Sequence, residues 1–133
     1  PKMFGKMYSE FQAKIAYWLI FIGFNLTFFI QFVMGSKGMP RRYYDYLPQF
    51  ETGNFLAGFG GILILIGLAL MFFNLFKSLK EKVAAVDDPW GGPTLEWSVP
   101  SPPPLHNFVR EPEVKAYPYD FTEIVAQSQR GEN

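Results

Sequence analysis

The chain has 133 residues, with 12 basic and 12 acidic side chains. A formal charge of zero gives no net field that would favour nucleic acid or an acidic partner. Cysteine is absent, which excludes disulfides, thiolate metal sites and cysteine nucleophiles together, and the single histidine, His106, leaves almost nothing for imidazole chemistry.

Residues 1–14 carry Lys2, Lys6 and Lys14 against Glu10. They read as a lead-in at a membrane edge, with lysines facing headgroups. The segment starts at Pro1 with no signal-peptide pattern, as though partway through something larger. A first span is expected over 15–35, where the run Ile15 to Met34 is almost wholly apolar. About 20 residues at ~1.5 Å each cross a hydrocarbon core of ~30 Å. Asn25, Thr27 and Gln31 interrupt the run. Polar groups facing lipid tails are costly, so these should face other helices or a bound group. Thr27 and Gln31 are four apart and share a face, with Phe24 and Phe28 on the neighbouring stripe. Two uses stay open here: interhelical hydrogen bonds of ~0.6 to 2 kcal/mol each, or the lining of a cofactor.

Residues 36–54 form a short charged loop, whose stretch Gly38-Met39-Pro40-Arg41-Arg42-Tyr43-Tyr44-Asp45-Tyr46 sets two guanidinium groups side by side at the mouth of a helix pair. Fixed positive charge there can hold anionic groups, of lipid or of something buried between helices. Asp45 is one carboxylate, and one does not make a cation site. A second span is expected over 55–77, from the run Phe55 to Phe76. Gly53, Ala57 and Gly61 recur every four residues, a small-residue stripe that lets another helix approach closely. Two helices bury only one side of such a surface, so further membrane partners are expected. Lys2, Lys6, Lys14, Lys77, Lys80 and Lys82 flank the ends, against Lys37, Arg41 and Arg42 in the loop. That bias puts both termini in the cytoplasm and the loop outside.

Residues 78–133 change character. Eight of the 11 prolines fall between Pro89 and Pro118, among Trp90, Trp97, Phe108, Tyr117 and Tyr119. Ser101-Pro102-Pro103-Pro104 is expected as extended polyproline. A linker and a ligand for a proline-reading domain are both open, although the aromatic anchors favour packing on a surface. Residues Gln127 to Asn133 read as a frayed polar end. His106 has no companion His or Cys for a metal site. With no paired carboxylates, nucleophile triad or glycine-rich phosphate loop, the expectation is that the chain holds no catalytic and no metal-ligating residue of its own.

Three stretches together go beyond composition. Phe21-Ile22-Gly23-Phe24-Asn25-Leu26-Thr27-Phe28-Phe29 is followed by Gly38-Met39-Pro40-Arg41-Arg42-Tyr43, then by Pro89-Trp90-Gly91-Gly92-Pro93-Thr94-Leu95-Glu96-Trp97 with Pro100 to Pro104 and His106-Asn107-Phe108. In that order they resemble the C-terminal end of subunit 1 in the haem–copper oxygen reductase (cytochrome c oxidase) family, bacterial type. The resemblance runs from about Lys2 to Phe108. It implies an all-α membrane fold in which these two helices complete a twelve-helix bundle and carry an extended proline-rich tail.

The resemblance also implies a cofactor role. Arg41 would reach the propionates of both haems, the low-spin haem a and a second, high-spin haem, and Arg42 mainly those of the low-spin one. Phe28 and Gln31 would line the low-spin haem, which gives Gln31 a reason to sit in the membrane. Members often read Phe-Phe-Pro-Gln-His-Phe here, where this chain has Ile30 and Phe32 at the proline and histidine positions. The family's iron and copper ligands lie upstream of this segment. Implied partners are the other helices of subunit 1, oxidase subunits 2 and 3, cytochrome c or a related donor, and the lipid bilayer, with no nucleic acid. The implied place is the bacterial inner membrane, and the implied parent activity is reduction of O2 to water with proton pumping. A rival reading is an independent two-helix adaptor or assembly protein, whose arginines meet lipid headgroups and whose tail recruits a soluble partner.

Overall fold

Two long apolar helices dominate the computed structural model of the chain, which describes residues 1–42, 44–81, 83–108, 111, 112, 117 and 120–122. Tyr43, Lys82, Pro118, Tyr119 and the end expected to fray at Gln127–Asn133 lie outside them. The chain divides into two units, Tyr8–Lys77 and a second made of Pro1–Met7 with Ser78–Asn133. All regular structure among the described residues is helical, apart from one isolated antiparallel bridge between Lys6 and Ala84.

In the first unit, Ser9 starts α1 (Glu10–Phe24). Its extended backbone and its Oγ, which accepts from the Gln12 N–H at 3.5 Å, make an N-cap, with Glu10 in the first turn complementing the helix dipole. A π-helical turn (Asn25–Phe29) follows, and then α2 (Ile30–Ser36), so the helical span runs over 27 residues, Glu10–Ser36. The turn coincides with Asn25, whose side-chain amide donates back to the Phe21 carbonyl at 2.8 Å. A side chain that bonds the carbonyl four residues earlier competes with the regular ladder, and single π turns recur at functional positions.

Glycine ends α2. Gly38 has φ +90°, its N–H donates to the Gly35 carbonyl at 3.0 Å, and the Met39 N–H donates to the Met34 carbonyl at 3.1 Å. These two bonds are the Schellman pair that satisfies the last carbonyls of a helix. Pro40 then bars continuation. Pro48 opens a 3-10 turn (Pro48–Phe50) that runs into α3 (Glu51–Lys80). Proline is favoured at such a start, because the N–H it lacks would be unpaired anyway, and α3 accordingly begins before the apolar run does. The spans Glu10–Ser36 and Pro48–Lys80 are both long and apolar enough to cross a membrane.

The two spans pack antiparallel along their small residues. A methyl group at Gly23 would lie 2.7 Å from the Gly60 carbonyl oxygen, one at Gly60 would lie 2.8 Å from the Gly23 carbonyl oxygen, and one at Gly67 would lie 3.1 Å from the Ile20 nitrogen. A methyl at Gly53 would collide with the Met34 sulfur. The Thr27 hydroxyl donates to the Ala57 carbonyl at 3.1 Å. The seam on α3 is therefore Gly53, Ala57, Gly60 and Gly67, not the expected Gly53, Ala57 and Gly61. Among the described residues, nothing lies within 4 Å of a methyl placed at Gly61. The reason is helical drift: eight residues overshoot whole turns by ~80°, whereas seven fall short by only ~20°. Large side chains point the other way, and Phe21, Phe24, Phe28, Phe32, Phe55, Phe59, Phe72 and Phe76 are all exposed. Helices apolar all round require apolar surroundings.

The second unit is tied by Lys2. Its ammonium donates to the carbonyls of Asp87 (2.7 Å) and Val99 (2.5 Å) and lies 5.5 Å from the centre of the Trp97 ring. This corrects the expectation that Lys2 faces headgroups: two carbonyls and an aromatic face outcompete solvent for the cation. Trp90 meets Trp97 edge-on at 5.2 Å, and Val99 is buried beside them in the sequence. The chain bends at Ser101 and Pro102 instead of running extended through Pro104; the peptide between them is cis, and the Asp87 carboxylate accepts from the Ser101 N–H at 2.8 Å. The Thr94 hydroxyl, by hydrogen bonding, holds the Glu96 carboxyl below its ordinary range.

Candidate functional site

The loop after α2 builds a cleft of about 540 Å³, lined by Gln31 and Gly35 from α2 and by Met39, Pro40, Arg41, Arg42, Tyr44 and Tyr46. The Schellman cap at Gly38 fixes where the chain leaves the helix, about two turns beyond Gln31. Met39 is then held against α3, since the Asn54 amide donates to its sulfur at 3.7 Å and to the Phe50 carbonyl at 2.9 Å. Phe50 and Met34 are both buried, so the root of the loop rests on packed side chains. At its tip Arg42 has φ +59°. A non-glycine residue in that left-handed region costs roughly 1–2 kcal/mol. Such strain at an exposed charged residue points toward a functional use.

Electrostatically the cleft is cationic. Arg41 and Arg42 are both exposed, and among the described residues neither guanidinium has a hydrogen bond or ion pair. The loop's own carboxylate, Asp45, is engaged by the Tyr46 N–H at 2.8 Å. Two unpaired forks that line one cleft with a side-chain amide suit carboxylate or phosphate oxygens, which arginine binds bidentately.

Three of the four residues singled out from the sequence converge here: Gln31, Arg41 and Arg42. Phe28 does not line the cleft. It sits a turn deeper within the π-helical segment, half exposed, with its ring 4.5 Å from that of Phe24. Thr27 and Gln31, which share a face in a regular helix, have separate uses: Thr27 bonds across to α3, and Gln31 lines the cleft. Asn25, expected to face another helix or a bound group, is exposed and bonds its own helix. Sequence reasoning missed Asn54 and Met39, which hold the loop. An amide in the first turn of a span, opposite a loop methionine, was the available signal.

Residues 1–63 match the family described as Cytochrome C and Quinol oxidase polypeptide I. The chain is 45% identical over 118 residues to cytochrome c oxidase subunit 1 of Bacillus sp. (strain PS3), which covers 86% of this chain and 19% of that protein. It is 46% identical over 119 residues to cytochrome c oxidase subunit 1 of Bacillus subtilis (strain 168), again 86% of this chain and 19% of the relative. It is 42% identical over 120 residues to the probable cytochrome c oxidase subunit 1-alpha of Streptomyces coelicolor, covering 87% of this chain and 21% of that protein. The chain thus spans about a fifth of the length of the curated relatives it matches.

Proposed function

We propose, for a chain that belongs to the family of cytochrome c and quinol oxidase polypeptide I, that it forms the two-helix C-terminal part of the catalytic subunit of a terminal oxidase. The parent complex would take electrons from cytochrome c or a similar donor, reduce O2 to water and translocate protons. Its haems, when bound, would supply that redox chemistry, with low-spin haem a and a second, high-spin haem as the expected pair. The iron and copper ligands would lie in the rest of the subunit. Other expected neighbours are subunits 2 and 3 and the bilayer of a bacterial inner membrane, with both ends of this chain cytoplasmic.

The share of this chain is electrostatic and architectural. Arg41 and Arg42 would neutralise haem propionates, Gln31 would offer a hydrogen bond at the same cleft, and Phe28 would pack a ring deeper along the haem. The observation that carries this reading is the meeting of Gln31, Arg41 and Arg42 in one cleft, with both guanidinium groups unpaired among the described residues. Buried carboxylates need such partners, because an unpaired charge in a low-dielectric site is expensive. The outward-facing phenylalanines support placing the pair inside a larger helix bundle.

The test replaces Arg41 by Ala and by Lys in the assembled complex. Arg41→Ala is expected to lower turnover roughly tenfold or more, since a hydrogen bond to a charged group is worth ~1.5–3 kcal/mol. It should also lower the haem reduction potential, because a nearby cation favours the electron-rich reduced form. Arg41→Lys should restore the potential in part but not the turnover, as a point charge does not reproduce the planar fork. Wild-type potentials and turnover in both variants would remove the propionate role.

A further inference from the structure

A second concavity lies at the same end of the helix pair, separate from the arginine cleft. It has a volume of about 330 Å³ and opens between the end of the first span and the start of α3. Its lining is graded. Lys37, which caps α2, Gln49 in the 3-10 turn and Thr52 in the first turn of α3 supply the polar rim, while Phe29, Val33 and Leu56 form the wall toward the middle of the spans. All three polar residues are exposed, and among the described residues the Lys37 ammonium has no hydrogen bond or ion pair. From this geometry we infer that the groove is a binding site for one anionic phospholipid, with an acyl chain against Phe29, Val33 and Leu56 and its phosphate at Lys37, Gln49 and Thr52.

The polarity gradient carries the assignment. A phospholipid changes from charged to hydrogen-bonding to apolar over a few ångströms, and the groove changes in the same order along the helix axis. Lysine suits a phosphodiester at this depth, because its ammonium stays in the headgroup layer while its methylene stem lies along apolar surface. The amide of Gln49 and the hydroxyl of Thr52 can donate to phosphate or ester oxygens. A further protein helix fits less well. With side chains a helix is ~10–12 Å across and would fill this volume in less than one turn, and it would seat an uncompensated ammonium at its flank. An acyl chain is thin enough to enter.

The test uses the purified membrane complex that contains this chain, stripped of loosely held lipid by detergent exchange. Phosphatidylglycerol or phosphatidylcholine is added, and bound lipids are counted by native mass spectrometry. Wild type should retain one phosphatidylglycerol that phosphatidylcholine does not replace. Lys37→Glu should lose that molecule, with uptake roughly five- to thirty-fold weaker for the loss and reversal of one charge. Leu56→Trp, which fills the apolar end, should lose it as well. Equal phosphatidylglycerol counts in wild type and both variants would overturn the site. Loss in Leu56→Trp alone, with Lys37→Glu unchanged, would overturn the anionic headgroup. Should Leu56→Trp fail to assemble, the headgroup selectivity of wild type and the response of the exposed Lys37 variant decide the matter. Neither variant touches the arginine cleft, so a failure here leaves the haem reading standing.

Discussion

At the scale of single residues, Asn74 illustrates what one buried amide can do. Its Nδ2 donates to the Ser9 carbonyl at 2.9 Å while its Oδ1 accepts from the Ser9 N–H at 3.0 Å, so both backbone groups of the residue that caps α1 are satisfied from α3. Asn74 is only 3% exposed, and no water can stand in for it at low cost. Asn74→Ala is therefore expected to destabilise the helix pair by ~1–3 kcal/mol, read as a lower thermal midpoint of the complex and faster hydrogen exchange at the Ser9 amide. Protection of that amide equal to wild type would mean that another group holds Ser9. None of this pairing is legible in the sequence, where Ser9 and Asn74 are two polar residues separated by the whole hairpin. Arg41 and Arg42 were legible because two adjacent permanent charges between apolar runs leave few uses. Asn54 was legible only as an amide in the first turn of a span, because its pairing with a methionine sulfur across the loop shows only in the fold.

At the scale of elements, the two spans could be read from hydropathy alone, since apolar runs of about 20 residues can pair every backbone group within the segment only as helices. Their mutual rotation could be read only in part. Gly53 and Ala57 are on the seam, but the four-residue rhythm carried to Gly61 misses Gly60, the residue that touches Gly23. A stretch containing Gly58, Gly60 and Gly61 offers small residues on several faces, and only the partner helix selects among them. The selection makes a sharp contrast. Gly60→Ala would push a methyl to 2.8 Å from the Gly23 carbonyl oxygen, forcing the helices apart and straining the Thr27–Ala57 bond. It should cost ~1–3 kcal/mol, the usual penalty of overpacking. Gly61→Ala meets nothing among the described residues and should gain up to ~1 kcal/mol in helix propensity. Thermal midpoints of the two variants in the assembled complex make the comparison, and equal losses would show that Gly61 also faces a packed helix. The π turn at Asn25–Phe29 had no sequence herald, since the segment holds neither proline nor glycine and Ile30 follows it.

At the scale of the molecule, the helices expose rings, whereas the tail sets its tryptophans edge-on against each other, with Trp97 half-buried under Lys2. The unit formed by Pro1–Met7 with Ser78–Asn133 is organised by Lys2, a residue that composition assigns to lipid headgroups. Its role depends on the Asp87 and Val99 carbonyls, which only the folded tail brings together. Lys2→Met keeps the aliphatic stem and removes the donor, leaving both carbonyls without it. Chymotrypsin should then cleave after Trp90 or Trp97 several-fold faster in the complex, and unchanged cleavage would show that the tail is held by other contacts. The Ser9–Asn74 clasp, finally, has a consequence in time. The two partners are 65 residues apart, so at a synthesis rate of ~5–20 residues per second the backbone of Ser9 waits roughly 3 to 13 s before its partner exists. Through that interval the beginning of the first span is open, and it closes only when the second span is almost complete. The ribosome's clock, as much as the bilayer, sets when this hairpin becomes one object.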